Sequence, residues 1–151
     1  MHLTKHTDYA LRVLIFLAQR GELSTIRDIA ELHDISHNHL MKIVVKLAKL
    51  GYVESVRGNG GGIRLAREPG SIVLGEVVRG TEETLKVVEC LDPEYDGGCR
   101  LLAGCALKGI LRGANRAFLE HLDRYTLRDL MPRAGRAVVR FSKRAGGTLT
   151  Q

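Results

Sequence analysis

The chain has 151 residues, 44% of them apolar but only 5% aromatic and none of them Trp, so it has room for one aliphatic-cored domain and a small arm. A net charge of +6 favours an anionic partner, nucleic acid first. The opening MHLTKHTDYALRVLIFLAQR spreads its charge, and Arg12 interrupts an apolar run too short to span a bilayer. It reads as neither a signal peptide nor a membrane anchor, and a cytoplasmic protein is expected.

Residues 4 to 20 read as a helix: Thr4 can cap it, Ala10, Leu11, Leu14, Leu17 and Ala18 repeat at helical spacing, and Gly21 stops it. Tyr9, Val13 and Phe16 make the opposite side apolar too, as in a helix covered by its own domain and by a partner subunit. Thr25 to Asp28 is a capping-box-like start for a short helix that buries Ile26, Ile29 and Ala30. His33-Asp34-Ile35 makes a turn, and Ser36 caps a second helix with Leu40, Ile43, Val44, Leu47 and Leu50 on one face and Gly51 at its end. Two short helices joined this way form a helix-turn-helix. YVESV and IRLA then flank RGNGGG, a β-hairpin whose position makes it a wing.

A short helix is expected around residues 74 to 80, followed by irregular backbone through Asp92-Pro93, Gly97-Gly98 and Gly104. From Leu107 to Tyr125 the residues Leu107, Leu111, Ala114, Phe118, Leu122 and Tyr125 repeat by threes and fours, like a coiled-coil seam. The small head reads as complete without this helix, which favours a dimerisation role. The predicted fold is therefore mainly α with a small β-hairpin. It divides into a winged helix-turn-helix over 1–80, a cysteine loop over 81–106, a dimerisation helix over 107–131 and a basic, disordered tail over 132–151.

The second helix should face a DNA major groove, where Ser36, His37, Asn38 and His39 can reach bases or phosphates and Lys42 and Lys46 suit phosphates. In the wing, Arg57, Asn59 and Arg64 flank glycines, and arginine in a narrow A·T-rich minor groove is the expected use.

All three cysteines, Cys90, Cys99 and Cys105, fall in ECLDPEYDGGCRLLAGC. Three cannot pair off as disulfides, and their clustering points to one shared centre. Iron–sulfur chemistry prefers soft thiolates, and three of them leave one position to fill. Zinc, which favours ligands two to four residues apart, fits the gaps of eight and five residues poorly. A thiol-only redox switch and plain buried thiols remain the other readings. His2, His6, His33 and His121 read as surface residues, with His2 and His6 held in reserve as ligands.

LTKHTDYALRVLIFLA, SHNHLMKIVVKLAKLGYVESVRGNGGGIRLA and CRLLAGCALKGILRGANRAFLEHLDRYTLRDLM together resemble the winged-helix iron–sulfur regulators of the IscR/NsrR family, from Leu3 to about Met131. The last segment is most similar to the nitric-oxide-sensing NsrR branch. IscR-type members carry a histidine three residues after the third cysteine. Lys108 stands there in this chain, which disfavours an IscR-style [2Fe–2S] site. In NsrR-like relatives with a [4Fe–4S] cluster, an aspartate at the start of the partner subunit's first helix completes the site, and Asp8 in TKHTDYALR matches it. The eight-residue gap between Cys90 and Cys99 is longer than in several relatives.

The resemblance thus implies a homodimeric repressor of a double-stranded operator, with a [4Fe–4S] cluster (alternatively [2Fe–2S]) that reacts with nitric oxide. It implies no membrane and no enzyme activity. An iron- or redox-responsive regulator of the same fold is the nearest alternative. An iron–sulfur electron carrier is a remoter one, because a basic helix-turn-helix has no purpose there.

Overall fold

The computed structural model describes residues 2–101 and 104–131, so the basic tail expected over 132–151 lies outside the described residues. Helix α1 (Lys5–Arg20) begins where the Thr4 hydroxyl accepts the Thr7 N–H at 3.3 Å and ends at Gly21, in the left-handed region. Ala10, Val13, Leu14, Phe16 and Leu17 are buried along it, while Tyr9, Leu11, Ile15 and Ala18 are only partly covered in the single chain.

α2 (Ile26–His33) opens on the expected capping box: Thr25 accepts the Asp28 N–H at 3.2 Å and the Asp28 carboxylate accepts the Thr25 N–H at 3.0 Å. Asp34 adopts the left-handed conformation that reverses the chain, and Ser36 caps α3 (His37–Lys49) by accepting the His39 N–H. Leu40, Ile43, Val44 and Leu47 are the buried face of α3, set against Leu14, Leu17 and Ile29 in one core.

The hairpin pairs β1 (Val53–Val56) with β2 (Gly62–Leu65), antiparallel, from Val53 opposite Leu65 to Val56 opposite Gly62. Its tip turns through Gly58 and Gly60, both at positive φ, where a side chain would be strained. Ser24 exchanges backbone hydrogen bonds with Ile63 at 3.0 and 2.8 Å. That bridge ties the wing to the residues just ahead of α2, so the hairpin and the helix-turn-helix form one frame.

α4 (Leu74–Thr81) matches the short helix expected over 74–80, and α5 (Ala106–Leu122) follows the cysteine segment. α5 stops three residues before Tyr125. Beyond it the chain turns back: Asp123 meets Arg79 at 2.5 Å, Thr126 pairs with Val73, and a Thr126–Asp129 capping box opens a 3-10 turn. The reversal places Leu127 at 0% exposure, beside Ile72 and Val77. Heptad spacing alone could not show this, because the gain comes from burying a residue beyond the stripe. Leu127 sits in the core of the head, so the head uses residues well past 80. Truncating it to Ala would cost about 2–5 kcal/mol. α5 itself has no buried residue in the single chain.

Mainly helical architecture with one two-stranded hairpin is thus what the sequence predicts. No described helix is long and apolar enough to cross a membrane.

Candidate functional site

Two chemically distinct regions stand out, a cationic face on α3 with the wing, and the cysteine segment between α4 and α5. On α3, Ser36, His37, Asn38, Lys42, Lys46 and Lys49 are exposed because the opposite arc is fully engaged in the core. His39 is only half free. Its ring meets Tyr9 of α1 edge-on at 5.3 Å, so part of it is engaged in packing against α1.

On the wing, Arg57 and Asn59 are exposed at the tip. Arg64 stands directly across the ladder from Glu54, and its Nε donates to the Glu54 carboxylate at 2.6 Å. The two arginines therefore start from different states. Arg57 makes no ion pair among the described residues, whereas Arg64 is paired with Glu54.

Cys90 lies in a 3-10 turn (Glu89–Leu91), Cys99 in irregular backbone, and Cys105 at the cap position of α5. All three are free thiols, each partly exposed. They are on one segment, yet among the described residues no three His, Cys, Asp or Glu side chains converge to hold a metal ion. Burial pushes the Tyr95 hydroxyl above its usual range, and the charges of Cys99, Asp96, Glu89 and Cys90 add to this. Lys86 pairs with Asp92 in the same stretch and, with the Glu94 N–H, holds that carboxyl below its ordinary range.

By chemistry the donors fit an iron–sulfur cluster: three soft thiols, none committed to a disulfide, on a single irregular segment. A fourth donor has to come from elsewhere.

Asp8 lies in the first turn of α1, where an acid is also favoured by the helix dipole. Its Oδ2 accepts from Arg12 Nε at 3.0 Å and faces the second guanidinium nitrogen at 3.0 Å. Among the described residues Asp8 joins no such metal-holding group, and neither do His2 or His6.

His33 corrects the expectation of a surface residue. Its ring packs edge-on against Phe16 at 6.4 Å, and its Nε2, sealed from solvent, has no hydrogen-bond partner among the described residues. Burial lowers its pKa, Arg12 lowers it further, and Asp8 opposes both.

The sequence reading missed Arg12 as the partner of Asp8, although the four-residue spacing carried the signal. It also missed a buried link between α1 and α4. Thr7 donates its hydroxyl to Thr81 at 3.0 Å, and Thr81 donates to the Val77 carbonyl at 2.8 Å. The Glu82 carboxylate accepts from the Thr4 N–H at 2.8 Å and the Thr4 hydroxyl at 3.1 Å. No local pattern marks contacts across more than seventy residues.

The family model described as "Rrf2: Iron-dependent Transcriptional regulator" matches residues 3–133. The chain is 54% identical to the HTH-type transcriptional regulator NsrR of Bacillus subtilis, over 87% of this chain and 90% of that protein. It is 51% identical to the regulator of the same name from Geobacillus kaustophilus, with the same coverage. The structure of CymR, the global cysteine regulator of B. subtilis, superimposes with a TM-score of 0.70 at 27% identity, covering 86% of this chain and 95% of that one. T. potens IscR does so with a TM-score of 0.68 at 27% identity, covering 86% and 85%. These relatives agree with the resemblance drawn from the motifs, and those whose names state a role are regulators rather than enzymes. The chain belongs to the Rrf2 family of transcriptional regulators.

Proposed function

We propose that this regulator is a homodimeric, cytoplasmic repressor whose grip on its operator is set by a [4Fe–4S] cluster that reacts with nitric oxide. The observation that carries the proposal is the set of three free cysteines between α4 and α5 in a chain half-identical to regulators named NsrR. Cys90, Cys99 and Cys105 would hold the cluster, with Asp8 of the partner subunit as fourth ligand. When bound, it would supply iron that nitric oxide attacks.

The chain's own residues then carry the signal. Asp8 is adjacent to Tyr9, and Tyr9 packs on His39 in the first turn of α3. A shift of the first turns of α1 therefore reaches the recognition helix through one ring contact. A dimer must match half-sites about 34 Å apart, so a small change of spacing weakens binding strongly. The exposed side of α5, with Leu107 and Ile110 open and Tyr125 open just beyond its end, supports burial against a second copy. Ser36, His37, Asn38, His39, Lys42 and Lys46 on α3 and Arg57, Asn59 and Arg64 on the wing would contact DNA.

The test is an anaerobic titration of nitric oxide and of an iron chelator against labelled operator, with visible spectra and iron and sulfide counts on the same samples. Release at a few nitric oxide molecules per cluster is expected, well ahead of chelation. A second reading, an iron-responsive switch, has the family's iron-dependent description in its favour. Faster release by the chelator at matched cluster loss would establish it instead.

A further inference from the structure

The exposed face of α3 is cationic and polar except at Met41, Val45 and the small Ala48. Met41 is 45% exposed and Val45 is 53% exposed, one helical turn apart. At about 100° per residue, Val45 points about 160° away from both Ile43 and Leu47. Those two residues are completely buried. Val45 therefore lies near the crest of the helix, the line that penetrates deepest when α3 enters a groove. Asn38, seven residues earlier, lies about 20° from the same line.

A branched aliphatic side chain at that crest gains by burial against an apolar partner. Lys42, Lys46 and Lys49 lie about 40–100° to one side of it, so a greasy protein surface would strand their ammonium groups away from water. A DNA major groove suits both, with phosphates along one wall for the lysines and one apolar group on the floor, the thymine C5-methyl.

We propose that Val45, with Met41 beside it, reads thymine methyl groups and so helps set which operator the protein selects. This rests on α3 being the DNA-reading helix. The lysines give affinity to any duplex, whereas the two apolar side chains discriminate. Losing one methyl contact corresponds to about fourfold in affinity.

The experiment uses the full chain, purified anaerobically, to enrich duplexes from a randomised library. Each thymine of an enriched duplex is then replaced singly by deoxyuridine, which removes only the methyl. One or two positions should weaken binding about fourfold. On the thymine duplex Val45→Ala should lose a similar factor, and on the deoxyuridine duplex it should lose little more. Met41→Ala should show the same dependence at a neighbouring position. Both side chains are exposed, so thermal melts of the variants should match the parent. Deoxyuridine without effect at every position, or variants that weaken both duplexes equally, would overturn apolar readout. A library from which nothing enriches would overturn the reading of α3 as the DNA-reading helix, and the proposal with it.

Discussion

The Thr7 hydroxyl donates to the Thr81 hydroxyl at 3.0 Å inside the core, joining the first turn of α1 to the last turn of α4. Asp8 follows Thr7, and the chain leaves Thr81 for the cysteine segment. One buried hydrogen bond thus fixes the elements that carry both proposed kinds of ligand. Thr81→Val leaves the Thr7 donor without its partner at a site where Thr7 is 0% exposed. The expected loss is about 1–3 kcal/mol in denaturant unfolding. The double variant Thr7→Val, Thr81→Val should recover part of it, because neither side then keeps an orphaned hydroxyl. A double variant as unstable as the sum of the singles would show that the two threonines act independently.

Glu82 extends this link to the surface. Burial pushes its carboxyl up, but the hydrogen bonds it accepts from the Thr4 N–H and hydroxyl outweigh this and leave the group below its ordinary range. A carboxyl whose folded-state pKa is depressed stabilises the fold above its unfolded value, near 4.5, and loses that contribution as pH falls through the lower folded value. The stability gap between the parent and Glu82→Gln should therefore be full at neutral pH and close below about pH 4. Thermal melts across that window check it, and a gap that widens on acidification would contradict the assignment.

Much of the head was legible because its signals are local. Thr4, Thr25 and Ser36 cap the helices they were expected to cap, and Gly58 and Gly60 turn the hairpin. The same reading placed Tyr125 on α5 and His33 at the surface. Both outcomes were decided by distant partners, Val73 beside Thr126 for the reversal and Phe16 for His33. Cysteine spacing pointed to a shared centre, but spacing carries no information on a donor supplied by another chain. Asp8 therefore entered through the resemblance, and the geometry adds only its pairing with Arg12.

Removing a thiol should separate cluster from fold. The head's core rests on Leu14, Ile29, Ile43 and Leu47, all at 0% exposure, and none of the three cysteines belongs to it. Cys90→Ala, Cys99→Ala and Cys105→Ala should each abolish stable iron and sulfide loading while shifting the melt little. Asp8→Ala removes an exposed ion pair worth at most about 1 kcal/mol, yet should make the bound cluster labile. Full iron content in a variant lacking two cysteines would sink the thiolate assignment. A spectrum and nitrosylation course unchanged by Asp8→Ala would move attention to His2 or His6.

The Glu54–Arg64 pair makes a prediction of unusual sign. Arg64 is tied to Glu54 at 2.6 Å in the free chain, so any phosphate or minor-groove contact must compete with that carboxylate. Glu54→Ala removes the competitor and a negative charge from the wing, and should tighten DNA binding. If the freed guanidinium contacts phosphate, the slope of log affinity against log salt should steepen by about 0.9. Arg64→Ala should do the reverse, and the double variant should resemble Arg64→Ala, because without the arginine little remains for Glu54 to restrain. Lys42→Ala serves as the contrast. It has no ion pair among the described residues, and its loss should weaken binding nearly uniformly across sequences. Fold stability should change little in the wing variants, since both partners of the pair are about half exposed. Binding isotherms at several salt concentrations decide the matter. Weaker binding by Glu54→Ala would mean that Glu54 holds Arg64 in its DNA-contacting pose rather than away from it.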